Sequence, residues 1–269
     1  KYFKVPKAKQ KNDLIHKLIS ICKKEKPRLI LSGPEEEINL LSKKRSQFLN
    51  LKVGILHPET QVLNEITNKL NLYNFFKDTE ILVPITCKYQ KNHQLSKDKC
   101  IIKPIFGRGS EGIEIINNFN HHLFDKDKLN KFIVQKYLAG KEYSVDALCD
   151  ENGEWLNIVI RERIKTESGV SIVSKTVFDK KILKAAIKIL EYIPLYGMSC
   201  IQFIKDKKGD PYLTDINPRP GGGSILSLRS SKEFQFNLVN LIKGKKTQKH
   251  VIKYDKLKMY RGYDEYFRS

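Results

Sequence analysis

Two polar turn signals constrain the second half of this chain more than any other feature: DENG at 150–153 and DKKGD at 206–210, each flanked by runs that alternate apolar and polar residues. Glycine enters the positive-φ region without steric penalty, so Gly153 and Gly209 mark tight hairpins and the flanking runs predict antiparallel strands. The register follows from the loops. With Asn152 and Gly153 at the tip, Glu142 faces Arg163 and Ser144 faces Arg161; with Lys208 and Gly209 at the tip, Gln202 faces Asp215 and Asn217 lies two residues along on the same face. Alternation gathers Glu142, Ser144, Asp146, Arg161 and Arg163 on one polar face and turns Tyr143, Val145, Ala147, Leu156, Ile158 and Ile160 toward a core. A solvated outer sheet face would read the same way.

The first 85 residues have a different rhythm. Leu14, Ile15, Leu18, Ile19 and Cys22 fall at helical spacing over 12–25, an apolar strand occupies 28–31, and Ile38, Leu41 and Phe48 extend a second helix over 34–48. A strand at 53–56 and a helix from Pro58 carrying Val62 and Ile66 follow. This alternation predicts a parallel, doubly wound α/β sheet with too few strands to be complete, after the loop-like opening KYFKVPKAK, and a boundary near Pro84. In the second region a single helix is expected, over 180–192, with a basic turn-like stretch at 243–249 before a short tail. The polar segment 164–175 reads either as a gating loop over a substrate or as a plain connection.

Composition removes several classes of function. A chain of 269 residues with 40% hydrophobic and 30% charged residues can bury a sizeable core, and no run approaches the ~18 apolar residues of a membrane span. No signal-peptide pattern opens the chain. The five cysteines, odd in number and without CxxC spacing, read as small core residues in a reducing cytoplasm. The histidines offer no HExxH pair, and neighbours His121 and His122 point to different sides of any regular element, so histidine metal ligation is disfavoured. The net charge of +20 admits a nucleic-acid partner, but the lysines are spread along the chain rather than clustered with aromatics.

Two constellations carry chemistry. In IIKPIFGRGSEGIEII, Lys103 sits in an apolar run, costly to bury unless an anion meets it, and Gly107, Gly109 and Gly112 can aim backbone N–H groups at phosphate oxygens. A glycine-rich hairpin with an exposed lysine fits the same letters, and the spacing is neither a P-loop nor a dinucleotide fingerprint. In CIQFIKDKKGDPYLTDINPRPGGGS, Gln202, Asp215 and Asn217 converge as oxygen donors. Such a sparse set suits Mg²⁺ when ATP supplies the remaining ligands. Arg219 follows with a permanent forked charge suited to a phosphoryl group, although D-x-N before proline is also ordinary turn chemistry.

Taken together in this order, DINPRPGGG and IIKPIFGRGSEGI make the chain resemble the ATP-grasp enzymes, specifically the carbamoyl-phosphate-synthetase-like branch that includes amino-acid ligases. The resemblance implies an α+β ATP-grasp fold in which two α+β subdomains grip ATP. It assigns 1–84 to a partial pre-ATP-grasp α/β domain with a linker helix, 85–136 to the lid, and 137–269 to the C-terminal subdomain with the metal site. It implies that Lys69 and Lys103 bind phosphate and that Gly107, Arg108, Gly109, Ser110 and Gly112 fold over the β- and γ-phosphates. Gln135, Lys136, Tyr137 and Leu138 would line the adenine, with backbone groups of Lys136 and Leu138 reading its edge, and Glu142 would hold the ribose. Gln202, Asp215 and Asn217 would ligate Mg²⁺, or Mn²⁺ in its place, and Arg219 would steady the phosphorylated intermediate. Two letters depart from the family pattern: Asn68 stands where aspartate is usual, and Asp215 where glutamate is commoner. From hairpin geometry alone, Arg161 and Arg163 join Arg219 as candidate catalytic cations. The implied activity is an ADP-forming ligase acting on a small carboxylic acid and an amine or other nucleophile, in the cytoplasm, with a homodimer admissible. A catalytically silent ATP-binding or regulatory protein and a nucleic-acid binder are the alternatives.

Overall fold

The computed structural model describes residues 1–91, 95, 97–107, 111–119, 124–262, 264 and 267. The opening unit runs α1 (Lys11–Glu25), β1 (Leu29–Ile30), α2 (Glu35–Lys43), α3 (Arg45–Leu49), β2 (Gly54–Ile55), α4 (Thr60–Thr67) and α5 (Lys69–Phe76). Its two strands are parallel, Leu29 opposite Gly54 and Ile30 opposite Ile55, as the alternation predicts. One expectation fails here: the helix over 34–48 is broken at Lys44 into α2 and α3. The break lets the Arg45 guanidinium reach the carbonyls of Ile55 (3.0 Å), at the end of β2, and of His57 and Pro58 (3.0 Å) just past it.

A four-stranded antiparallel sheet follows, made of β3 (Thr86–Lys88), β4 (Cys100–Pro104), β5 (Glu114–Ile116) and β6 (Phe132–Lys136) in the order β3-β6-β4-β5. Tyr89, Cys100, Ile102, Phe119 and Val134 form its own small core. The remaining elements are β7 (Lys141–Cys149), β8 (Trp155–Glu167), β9 (Val170–Thr176), α6 (Lys180–Tyr192), β10 (Gly197–Lys205), β11 (Pro211–Asn217), α7 (Ser224–Ser230), α8 (Lys232–Lys243) and β12 (Lys258–Tyr260). Their strands make a six-stranded antiparallel sheet ordered β11-β10-β7-β8-β9-β12.

The hairpin registers agree with the sequence reading: Glu142 opposes Arg163, Ser144 opposes Arg161, and Gln202 opposes Asp215. Both turns are longer than two residues, because Asp150 and Asp206 each accept two backbone N–H groups across the tip. A bulge at Leu148/Cys149 and another at Gln202/Phe203 then restore the expected pairing.

Three expectations in this region are corrected. The segment 164–175 is no loop but part of a β8–β9 hairpin, closed by Ser168 (φ 47°) and Gly169 (φ 74°) as the two-residue turn between Glu167 and Val170. Second, α7 and α8 join α6, so the region holds more than one helix. Ser231 caps α8 by accepting the Phe234 N–H at 3.1 Å, and Gly244 ends it in the left-handed region. Third, the tail contributes β12, which pairs with β9.

Both faces of the large sheet are covered. Val145, Ala147, Ile158 and Ile160 pack against Ile182, Ala186 and Ile189 of α6 and against Leu63, Ile66, Leu72 and Phe76 of α4 and α5. On the other face Leu148, Val159 and Met198 meet Phe234 and Leu241 of α8 and Leu56 beyond β2, joined by Leu156, which alternation places with Val145 but the Leu148/Cys149 bulge turns to this side. Each of the larger side chains among these contributes about 1.5–3 kcal/mol by leaving water. The polar strip on that face is therefore interior over most of its length, with Ser144, Asp146 and Arg161 3%, 0% and 1% exposed, and is open to solvent only at Glu142. Among the described residues, no helix is long and apolar enough to cross a membrane.

Candidate active site

A cleft of about 1010 Å³ is lined by Lys69, Lys103 and Gly107 from α5 and the smaller sheet, and by Arg163, Gln202, Asp215, Asn217 and Arg219 from the larger one. Each arrives there for a local reason. Lys69 is the first residue of α5, which begins where Asn68 accepts the N–H groups of Leu70 (2.9 Å) and Asn71 (3.1 Å). Asn68, where the resemblance leads one to expect aspartate, is thus the N-cap of α5. Lys69 Nζ donates to the Gly107 carbonyl at 3.1 Å, tying the helix to the glycine loop.

Lys103 lies on β4 opposite Ile133 and is 8% exposed. Burial first, and the Lys69 charge second, bring its ammonium down to about 8 from the usual 10.5, against the opposing pull of the Asp215 carboxylate. Such a cation gains most from an anion, so the site answers the question raised by a lysine in an apolar run.

Gln202 on β10 and Asp215 on β11 are directly opposed, and Asn217 Nδ2 lies 3.3 Å from Asp215 Oδ2. Arg219 folds back on the same group, its Nη2 3.4 Å from Asn217 Oδ1 and its N–H donating to the Asn217 carbonyl at 2.8 Å. Among the described residues no group of three or more His, Cys, Asp or Glu is placed to hold a metal ion. A cation here would meet one carboxylate and two amide oxygens. That all-oxygen, weakly charged set fits Mg²⁺ or Mn²⁺ supplemented by phosphate, and does not fit zinc.

The two sheet arginines separate. Arg163 lines the cleft, pairs with Glu142 at 3.5 Å and donates to the Gly169 carbonyl at 2.9 Å; its buried Nε has no partner among the described residues. Arg161 does not line the cleft. It forms a forked pair with Asp146 (Nε–Oδ2 2.7 Å, Nη2–Oδ1 3.1 Å), while Ser224 (2.7 Å) and Ser227 donate to the same carboxylate. A Cβ on Gly223 would sit 2.4 Å from Arg161 Nη1. The expectation that Arg161 touches phosphate or substrate is corrected by this burial: it packs under Gly223 and pairs with Asp146, the carboxylate that holds the start of α7.

The residues expected around adenine lie away from this stretch of the cleft. Gln135 is 6% exposed and donates to Thr86 Oγ1 at 2.8 Å, fastening β3 to β6. The N–H groups of Lys136 and Tyr137 are taken by the carbonyls of Ile85 (2.8 Å) and Lys99 (3.0 Å), which leaves the Lys136 carbonyl as that residue's only backbone group for a base. Leu138 is half-buried and Glu142 exposed. Gly112 takes positive φ (70°). Arg108, Gly109 and Ser110, like His121 and His122, lie outside the described residues.

Two groups escaped sequence reasoning. Glu35, at the start of α2 beside the cleft-lining Gly33 and Pro34, has its carboxyl pushed up by burial, with Lys69 and Arg219 pulling it down and Asp215 and Glu36 pushing it up. His57, just past β2, is 0% exposed and contacts both Ser32 and Pro218. The one sequence hint for each was its place at an element end, in SGPEEE and GILHP.

A family model described as ATP-grasp domain matches residues 66–223, a stretch that contains every expected site residue. The chain is 29% identical over 185 residues to an uncharacterized protein of Methanocaldococcus jannaschii, across 66% of this chain and 47% of the relative. It is 36% identical over 137 residues to the carbamoyl phosphate synthase large chain of Clostridium botulinum, across 44% of this chain and 12% of that one. It thus spans less than half the length of either relative. The biotin carboxylase of Campylobacter jejuni, in its β-γ-ATP complex, has a similar fold: TM-score 0.70 at 15% identity, covering 86% of this chain and 58% of that one.

Proposed function

This chain belongs to the ATP-grasp family, and from that premise we propose that it is an ATP-dependent, ADP-forming ligase joining a small carboxylic acid to an amine or other nucleophile. In this reading the smaller sheet (85–136) is the lid, the larger (137–269) bears the metal ligands, and 1–84 is a partial preceding domain. The observation that carries the reading is the cleft itself. Lys69 and Lys103 enter from one side, and Arg163, Arg219 and the oxygen donors Gln202, Asp215 and Asn217 from the other.

A carboxylate oxygen of the acid attacks the γ-phosphorus of ATP, the bond from that phosphorus to the β–γ bridging oxygen breaks, and ADP leaves. The nucleophile then adds to the acyl carbon and expels phosphate. No tuned general base is demanded for the first step, since the transferring group carries dispersed negative charge and needs positioning and neutralisation. Lys69 and Lys103 supply charge toward the phosphates, Arg219 and Arg163 toward the migrating phosphoryl group and the acid, and the loop from Gly107 to Gly112 excludes water. Bound at Gln202, Asp215 and Asn217, a divalent cation would screen the phosphate charge.

The test is ADP release across a panel of amino acids and other small carboxylates with Mg²⁺, with hydroxylamine added to trap an acyl phosphate as hydroxamate. Stimulated ADP release with hydroxamate formation supports the ligase. Nucleotide binding without stimulation by any acid would instead favour a silent nucleotide-binding protein, a reading to which the single carboxylate of the metal set lends weight.

A further inference from the structure

We infer that His57 is a positioning residue that couples the N-terminal α/β unit to the Arg219 loop by holding the Pro218 carbonyl. The geometry fixes how it does so. The backbone N–H of Ser32 donates to His57 Nε2 at 2.8 Å, so Nε2 is an acceptor and carries no proton. The ring proton is therefore on Nδ1, which lies 3.1 Å from the Pro218 oxygen and donates to it. The imidazole is fully buried and held neutral, its pKa brought down to about 4 chiefly by burial.

Neither end of this bridge is free to drift. Ser32 follows β1, and His57 follows β2, so the parallel pairing of the two strands sets the distance between them. Arg45 grips the carbonyls on either side of and at His57, and Leu56 packs so closely on Gly197 that a Cβ there would lie 2.7 Å from the Leu56 oxygen. At the other end, the peptide bond is planar, so fixing the Pro218 carbonyl also fixes the direction of the Arg219 N–H. That N–H donates to the Asn217 carbonyl. The bridge thus sets one peptide plane between a proposed metal ligand and the proposed phosphoryl-binding arginine. The N-terminal unit acts on the site through this plane.

The activity arm of the test rests on the ligase reading; the other arm does not. H57N retains a donor where Nδ1 stands, and H57Q retains an acceptor where Nε2 stands. If the bridge positions Arg219, H57Q loses about tenfold in kcat, the worth of one hydrogen bond in a transition state, with KM for ATP little changed, whereas H57N recovers most of it. Equal losses in the two variants, tracking their thermal stability, overturn the proposal in favour of a packing role. Amide exchange at Arg219 by NMR is read on the same proteins without any turnover. Faster exchange in H57Q than in H57N supports the bridge, and equal exchange refutes it even if no acid ever stimulates ADP release.

Discussion

Replacing Asp146 with alanine would leave the Arg161 guanidinium, 1% exposed, with no counter-charge, and would strip the Ser224 and Ser227 hydroxyls of their acceptor. Removing one partner of a buried ion pair costs about 3–5 kcal/mol, because the remaining charge stays out of water uncompensated. For a protein of this size each kcal/mol moves the melting temperature by about 2–4 °C, so the variant should melt roughly 6–20 °C lower. Urea denaturation of D146A, R161M and the double variant separates charge from packing. The double variant should recover most of the loss, since neither buried charge remains, giving a coupling energy on the order of 2 kcal/mol or more. A D146A cost below about 1 kcal/mol, or a double variant equal to the sum of its singles, would refute the reading of Arg161 as the support beneath the glycine run.

Three further outcomes are expected. Lys103, with its ammonium brought down to about 8, loses its proton as pH rises through that value, so affinity for an ATP analogue should fall about tenfold per pH unit above 8 until the bound state also titrates; K103M should be weak and flat over that range. The same depression means that between pH 8 and 10.5 the unfolded chain binds more protons at this lysine than the folded one, so its contribution to stability rises with pH there. G223A, whose methyl would meet Arg161 Nη1 at 2.4 Å, should destabilise by about 1–3 kcal/mol in urea titration, and a neutral result would show that Arg161 can move aside.

What was legible in the sequence is what local chemistry dictates. The Asp-to-Gly turns announced both hairpins, and the position of each tip then placed Gln202 against Asp215 and Ser144 against Arg161. Whether the polar strip faced water was not legible, since the answer depends on α7, whose Ser224 and Ser227 reach Asp146 from 78 and 81 positions away. The same strip therefore held one arginine in the cleft and one beneath it. His57 was invisible for a similar reason: its partners are 25 and 161 residues distant, and no motif marks a histidine that works by being neutral. The break at Lys44 in the helix expected over 34–48 serves Arg45's contacts at and past the end of β2, which periodicity does not report.

The central claim, that a triphosphate lies between Lys69 and Lys103 on one side and a divalent ion on the larger sheet on the other, is tested most directly by calorimetric titration of a non-hydrolysable ATP analogue at varied Mg²⁺. Wild-type affinity should strengthen with Mg²⁺, D215A should lose that dependence, and K103M should bind weakly at every Mg²⁺ concentration. Unchanged Mg²⁺ dependence in D215A, or unchanged affinity in K103M, would contradict the account.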